Sequence, residues 1–276
     1  MKTQAIFFGF DLFGSAGTAA GAQLLADELR EVLADNRRET VRTRARSYTR
    51  HVRIEEIEFS TLEELGCWRE KGRQRVRALL DDESFLLWCS GNHLGALPVY
   101  DELSARGGSS LIVQLDAHLD IHHFRDCATD LSHGNFLLHV DGGPPPVVNI
   151  GHRDLLLPAD HIARYYQQTF SAADLALEPA RVLQQLRQRV QDTEAVYLDL
   201  DVDVFDPVYF PAVAQPVPFG LSPAALLGLI EAIGTERLRG LLVSEFDPAR
   251  DRDDRSLAVL VWLLEYILLR KYETTS

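Results

Sequence analysis

The chain is poor in cysteine: Cys67, Cys89 and Cys127 are scattered and odd in number, which excludes a disulfide framework and a Cys-x-x-Cys zinc knuckle. They read as reduced thiols of a cytoplasmic protein. No block of Lys and Arg interrupts a formal net charge of -13, so nucleic acid and anionic membrane surfaces are poor partners and a small cationic substrate is a better one. No apolar run reaches the roughly 20 residues needed to span a bilayer; the longest candidate, LAVLVWLLEYILL (257–269), carries Glu265 and reads as a core helix. The amino-terminal MKTQAIFFGFDLFG is broken by Asp11 and reads as a first strand, not a signal peptide. Internal repeats and low-complexity tracts are absent. Gly9, Gly14, Gly17 and Gly21 match neither GxGxxG nor a Gly-Lys-Ser/Thr loop. With 276 residues, 46% hydrophobic, and no shift in composition, one domain over 1–276 is expected.

What is present is an alternation of short apolar runs with helical patterns. Strands are expected at 4–10, 52–59, 84–89, 110–116, 146–151, 195–201 and 238–246. Helices are expected at 18–35, 61–81, 94–105, 159–168, 179–191, 222–234 and 255–272. Such alternation predicts a parallel sheet covered by helices on both faces, with ligands beyond the carboxyl ends of the strands. His93, Asp116 to Asp120, His152 to Asp154, Asp201 to Asp203 and Glu245 all fall at or just after expected strand ends.

The stretch DAHLDIHH (116–123) closes the run Leu111–Leu115, and Asp199, Asp201 and Asp203 alternate at the end of a second run in VYLDLDVDVFDP (196–207). Continued as strand, each set would leave one side of the backbone, because side-chain direction repeats every second residue. Carboxylates from two neighbouring strands repel unless protonated, salt-bridged or shared by cations. Oxygen and imidazole donors without thiolate favour a metal such as manganese over structural zinc, and two dications balance four carboxylates better than one. His93, at the start of a probable helix in SGNHLGALPVY (90–100), reads alone as a capping or core histidine.

Taken together, SGNH, DAHLD, SHGN, NIGHRD, DLDVDVFDP and SEFDP resemble, in order and approximate spacing, the ureohydrolases: the arginase, agmatinase and formiminoglutamase family. The resemblance runs from about 84 to 265, and more faintly through 9–21. It implies a three-layer α/β/α fold with a mostly parallel eight-stranded sheet and a binuclear Mn2+ centre, two ions per subunit. It also implies a homo-oligomer, trimer or hexamer. On its motifs His93 would bind one ion and His118 the other, Asp116 and Asp201 would bridge, and Asp120 and Asp203 would complete the two shells. His133 resembles a proton-shuttling histidine; its imidazole could exchange protons near neutrality. Glu245 resembles the glutamate that pairs with a guanidinium, the alternative being a salt bridge to Arg250 or Arg255. His122 and Asp154 resemble contacts to the far end of a substrate; otherwise His122 is a rim residue and Asp154 an ion pair to Arg153 or another arginine. His123, His139, His152 and His161 read as structural.

Three departures stand out. Asn92 takes the place of an aspartate in Gly-Gly-Asp-His, Asp199 replaces what is often serine, and PAVAQPVPFG (211–220) lacks the usual glycines. Groups behind metal ligands tune them, so the exchanges bear on affinity, and Asp199 could restore the charge lost at 92. The expected activity is cleavage of a guanidino carbon-nitrogen bond with release of urea. One alternative is a formiminoglutamase-type hydrolase releasing formamide. Another is a catalytically silent binding or scaffold homologue, suggested by Asn92. A one-zinc deacetylase-like amidohydrolase is disfavoured by His93 and Asp203.

Overall fold

The computed structural model describes residues 2–123 and 130–273; Cys127 lies outside them. Eight strands form one sheet: β1 (Thr3–Phe8), β2 (Val52–Ile57), β3 (Phe85–Ser90), β4 (Ser110–Leu115), β5 (Val147–His152), β6 (Gln168–Ser171), β7 (Ala195–Asp201) and β8 (Leu238–Ser244). Their order is β2-β1-β3-β8-β7-β4-β5-β6, and every ladder between them is parallel. The helices among the described residues are α1 (Ala19–Arg38), α2 (Leu62–Gly66), α3 (Trp68–Asp81), α4 (Leu97–Arg106), α5 (Ala159–Ile162), α6 (Ala172–Leu177), α7 (Pro179–Gln191), α8 (Pro223–Ile233) and α9 (Arg255–Tyr272).

Side-chain alternation along β1 builds both cores at once. Ala5 and Phe7 pack into the face covered by α1, α7, α8 and α9, whereas Ile6 and Phe8 pack into the face covered by α3 and α4. Strands buried on both faces need near-continuous apolar runs, which is what β1 and β3 supply. Among the described residues no helix is long and apolar enough to cross a membrane.

The eighth strand corrects the residue-by-residue reading, which placed a helix over 159–168. That helix stops at Ile162, and QTFS becomes β6. An edge strand pairs with one neighbour only, so β6 needs little apolar content; Phe170 is its one buried side chain. Helix α6 follows at once, begun by a reciprocal pair in which Ser171 Oγ accepts from the Asp174 amide and Asp174 accepts from the Ser171 amide.

The chain leaves β3 on one side of β8 and β7 and resumes in β4 on the other, so the carboxyl ends of β3, β8, β7 and β4 lie side by side at the centre of the sheet. This reversal in strand order is where a parallel sheet opens a crevice. Helix α4, which continues the turn carrying His93, is tied to α3 by ions. Arg69 is bidentate to the buried Asp101 at 2.7 and 2.8 Å and donates to His139 O; Arg73 and Arg77 share Glu102. Removing one partner of such a pair leaves the other poorly compensated. Asp101→Ala should lower stability by about 3 kcal/mol in chemical denaturation; a loss below about 0.5 kcal/mol would show that the network does not hold α4.

Candidate active site

Strand alternation brings Asp199 and Asp201 to one side of β7, but it does not carry the remaining donors. The β4 strand ends at Leu115 and β7 at Asp201; Asp203 sits in a 3-10 turn and Asp120 in the left-handed region at φ 49°. The extended course anticipated through 120 and 203 is replaced by tight turns closed by the carboxylates themselves. Asp116 Oδ1 accepts from His118 N at 2.6 Å, Asp201 Oδ1 from Asp203 N at 3.0 Å, and Asp203 Oδ1 from Ala117 N at 3.1 Å. Asp and Asn favour such turns because their side chains reach backbone amides two residues on.

His93 enters from the end of β3. Its Nδ1 lies 2.9 Å from Asp120, 3.1 Å from Asp201 and 3.3 Å from Asp116, yet it makes no aligned hydrogen bond, and Asp116 Oδ2 is likewise buried without a partner. Donor atoms that converge without bonding one another have the arrangement expected around a cation. A second set joins Asp116, His118 and Asp203, with His118 Nδ1 2.9 Å from Asp203. Asp116 belongs to both sets. The residues present therefore fit a divalent metal site, with Asp116 common to the two donor sets and oxygen and imidazole as the donor chemistry.

Behind His93, Asp199 Oδ2 meets Nε2 at 2.9 Å and accepts from Tyr100 Oη at 2.6 Å. Sequence reasoning placed Asp199 in the carboxylate cluster, as a departure able to restore the charge lost at 92, and missed Tyr100. The available signal was a tyrosine in an apolar helix, since a buried phenol needs a partner. Glu245 follows β8 at φ 68°, its amide fixed on Gly91 O at 2.8 Å. Its Oε1 accepts from His93 N at 2.9 Å and lies 3.2 Å from His133 Nδ1. Gly91 has no substitute, because a Cβ there would stand 2.3 Å from Phe10 O. Arg250 pairs instead with Asp247, so the Glu245–Arg250 alternative is not the observed pairing. Asp154 faces His122 at 3.5 Å, not Arg153, whose guanidinium donates to four carbonyls, of Gly151, Val204, Asp203 and Val217.

His93, His118, Asp120, His122, His133, Asp201, Asp203 and Glu245 line one cavity of about 440 Å³; Val213, Ala214 and Gln215, from the loop without glycines, form part of its wall. Its charges are strongly perturbed. Burial and neighbouring Asp120 push Asp116 up to about 7, and burial with Asp203 raises Asp201. Burial opposes the charge on His118, but Asp203 outweighs it and lifts the imidazole to about 10. Burial likewise opposes protonation of His93 and His133, but Asp199, Asp116 and Asp120 together raise the first, and Glu245 with Asp120 the second. At the rim burial would raise Asp154, but His122 and two backbone amides hold it at about 2.

With the geometry in hand, comparison with known proteins is specific. A family model described as the arginase family matches residues 3–269. Agmatinase of Bacillus cereus is 28% identical over 186 residues, 66% of this chain, and arginase 1, mitochondrial, of Arabidopsis thaliana is 28% identical over 199 residues, 68% of this chain. The chain spans 62% and 55% of the lengths of those two relatives. Among solved structures, arginase from Bacillus subtilis superposes with a TM-score of 0.78 at 20% identity, covering 97% of this chain and 98% of that one. Formimidoylglutamase from Bacillus subtilis gives 0.79 at 16% identity, covering 100% and 89%.

Loading a cation onto these donors must displace protons, because metal-free His118 keeps its proton to about pH 10 and Asp116 to about pH 7. Manganese affinity should therefore climb by roughly tenfold or more from pH 6 to 8. Calorimetry in buffers of different ionisation enthalpy should register the released protons; a pH-independent affinity with no proton release would contradict this charge assignment.

Proposed function

The chain belongs to the arginase family, and from that premise we propose that it is a binuclear manganese hydrolase of linear amidines, cleaving a guanidino carbon-nitrogen bond to release urea. The observation that carries the proposal is the pair of donor sets joined at Asp116, with Glu245 and His133 facing the same cavity. His93, Asp116, Asp120 and Asp201 would hold one ion; Asp116, His118, Asp201 and Asp203 would hold the other. Bound there, two such ions supply water activated at neutral pH and a positive field for the charge that develops during attack.

The chain's own residues account for the rest. Glu245, anchored by the His93 amide, is placed to orient a planar guanidinium through paired charge-assisted hydrogen bonds. Asp120, in its fixed left-handed turn, accepts a hydrogen bond from the attacking water and sets its line of approach. His133 is a quarter exposed and touches Glu245, so it can take a proton from solvent and pass it to the departing amine. His122 and Asp154 at the rim would meet the far end of the substrate. The acidic lining and the net charge of -13 favour a cationic substrate. Free Cys67 and Cys89 accord with a cytoplasmic setting. Assembly as a homo-oligomer is carried from the family resemblance.

Metal analysis followed by a screen of guanidino and formimino compounds with manganese tests the reading; urea as product supports it, and formamide would move the chain to the formiminoglutamase alternative. Asp201→Ala should lose most bound manganese. Glu245→Ala should keep it and lose about 10²-fold or more in turnover. Wild-type rates in either variant would refute the assignment.

A further inference from the structure

Beyond β1 the chain folds back over the cavity, and Phe13, Gly14 and Ser15 line it beside His93 and His133. Hydrogen bonds from three directions hold this segment, with Thr18 Oγ1 donating to Ser15 O besides. Asn92 Nδ2 donates to Leu12 O at 3.1 Å, His133 N donates to Phe13 O at 3.1 Å, and Asp11 closes the loop by accepting from Gly17 N at 2.8 Å. Asn92 is wholly buried, and its Oδ1 has no hydrogen-bond partner, so what the amide contributes is its N–H. A carboxylate at 92 would present only acceptors to the Leu12 carbonyl and repel it. Wall and amide are also matched in shape: a Cβ on Gly14 would lie 2.4 Å from Asn92 Nδ2. Phe13 is held at φ 58°, a conformation bulky residues rarely adopt, and 61% of its surface is exposed at the cavity mouth.

We propose that Asn92 is a positioning residue that anchors Leu12–Ser15 as a specificity wall, and that the Phe13 ring receives the aliphatic tail of a monosubstituted guanidine. The inference rests on the preceding reading only in giving the guanidinium end to Glu245. A phenyl face offers dispersion and water exclusion to methylenes and no hydrogen bond, so it favours a guanidine whose methylenes run along the wall between Glu245 and the rim. Asn92 reaches no substrate atom in this arrangement. It keeps the backbone of the wall in the strained course that presents the ring.

The test is calorimetric binding of guanidinium and of butylguanidinium to the manganese-loaded protein and to its Phe13→Ala and Asn92→Asp variants, with bound manganese measured in each. The wild type should favour the butyl compound by about tenfold, the gain expected from covering two or so methylenes. Each variant should bring that ratio below about threefold with manganese retained. A ratio unchanged in both variants, or a wild type without preference or binding neither compound, overturns the wall. Because Phe13 is exposed, its variant keeps the test open should Asn92→Asp fail to fold. Binding of both compounds without hydrolysis of either would sink the hydrolytic reading while leaving the wall measurable.

Discussion

Repulsion among buried carboxylates is the constraint around which this molecule is organised. Asp116, Asp120, Asp199, Asp201, Asp203 and Glu245 are all buried about two imidazoles, His93 and His118. Two like charges at ~4 Å repel by about 4 kcal/mol even at an effective permittivity of 20. Without cations the cluster cannot stay fully ionised, and its protonation follows: Asp116 is raised by burial and by Asp120, and Asp201 by burial and by Asp203, while Asp203 keeps its charge because His118, the Ala117 amide and Arg153 together outweigh its burial. Metal-free, the pocket holds protons where the family's ions would sit.

Holding such a cluster together requires a scaffold that does not yield, and the central parallel strands supply it. The register that sets Leu115 beside Leu200 and Asp201 beside Ser244 brings the turns after β4, β7 and β8 to one level. Arg153 then ties the turn after β7 to the end of β5 and to Val217, and its own amide donates to Ala117 O in the turn after β4. Because its donors go to carbonyls and not to carboxylates, it adds rigidity while leaving the carboxylate oxygens free of its hydrogen bonds. Burial lowers its own pKa, a cost that nearby Asp203, Asp116 and Asp201 only partly offset.

Legibility in the sequence divided along physical lines. Strands buried on both faces are continuous apolar runs, so β1, β3, β4, β7 and β8 could be read, and the carboxylates ending two of them could be read as a cluster. Strand β6 could not, because an edge strand with one buried phenylalanine lacks the signal that burial imposes. The side chains that converge on the cavity could be picked out because their chemistry is compressed into short motifs. Their partners were not: Tyr100 reaches Asp199 across 99 residues, and His122 meets Asp154 instead of the adjacent Arg153. Side-chain pairing across the fold leaves no trace in local spacing. The course of the chain after β4 was also misjudged, since alternation is a property of extended backbone and Asp120 has left it.

That departure explains how the site can exist before any ion arrives. A left-handed aspartate and a left-handed glutamate each cost about 1–2 kcal/mol and persist only where the surroundings over-determine them. For Asp120 the surroundings are a buried polar lattice: the single Tyr166 O–H is shared between Leu119 O and Gln114 Oε1, Asn149 donates to His118 O, and Leu137 N donates to Asp120 O. For Glu245 they are Gly91 O on its amide and His93 N on its carboxylate. Neither set depends on a cation, so the backbone has little left to order when one binds. The free energy of binding is then set by electrostatics and proton displacement, not by folding of the loops. This is why the carboxylates can be packed so closely: the strain that holds them is borne by hydrogen bonds one layer behind the donors, where no charge need change.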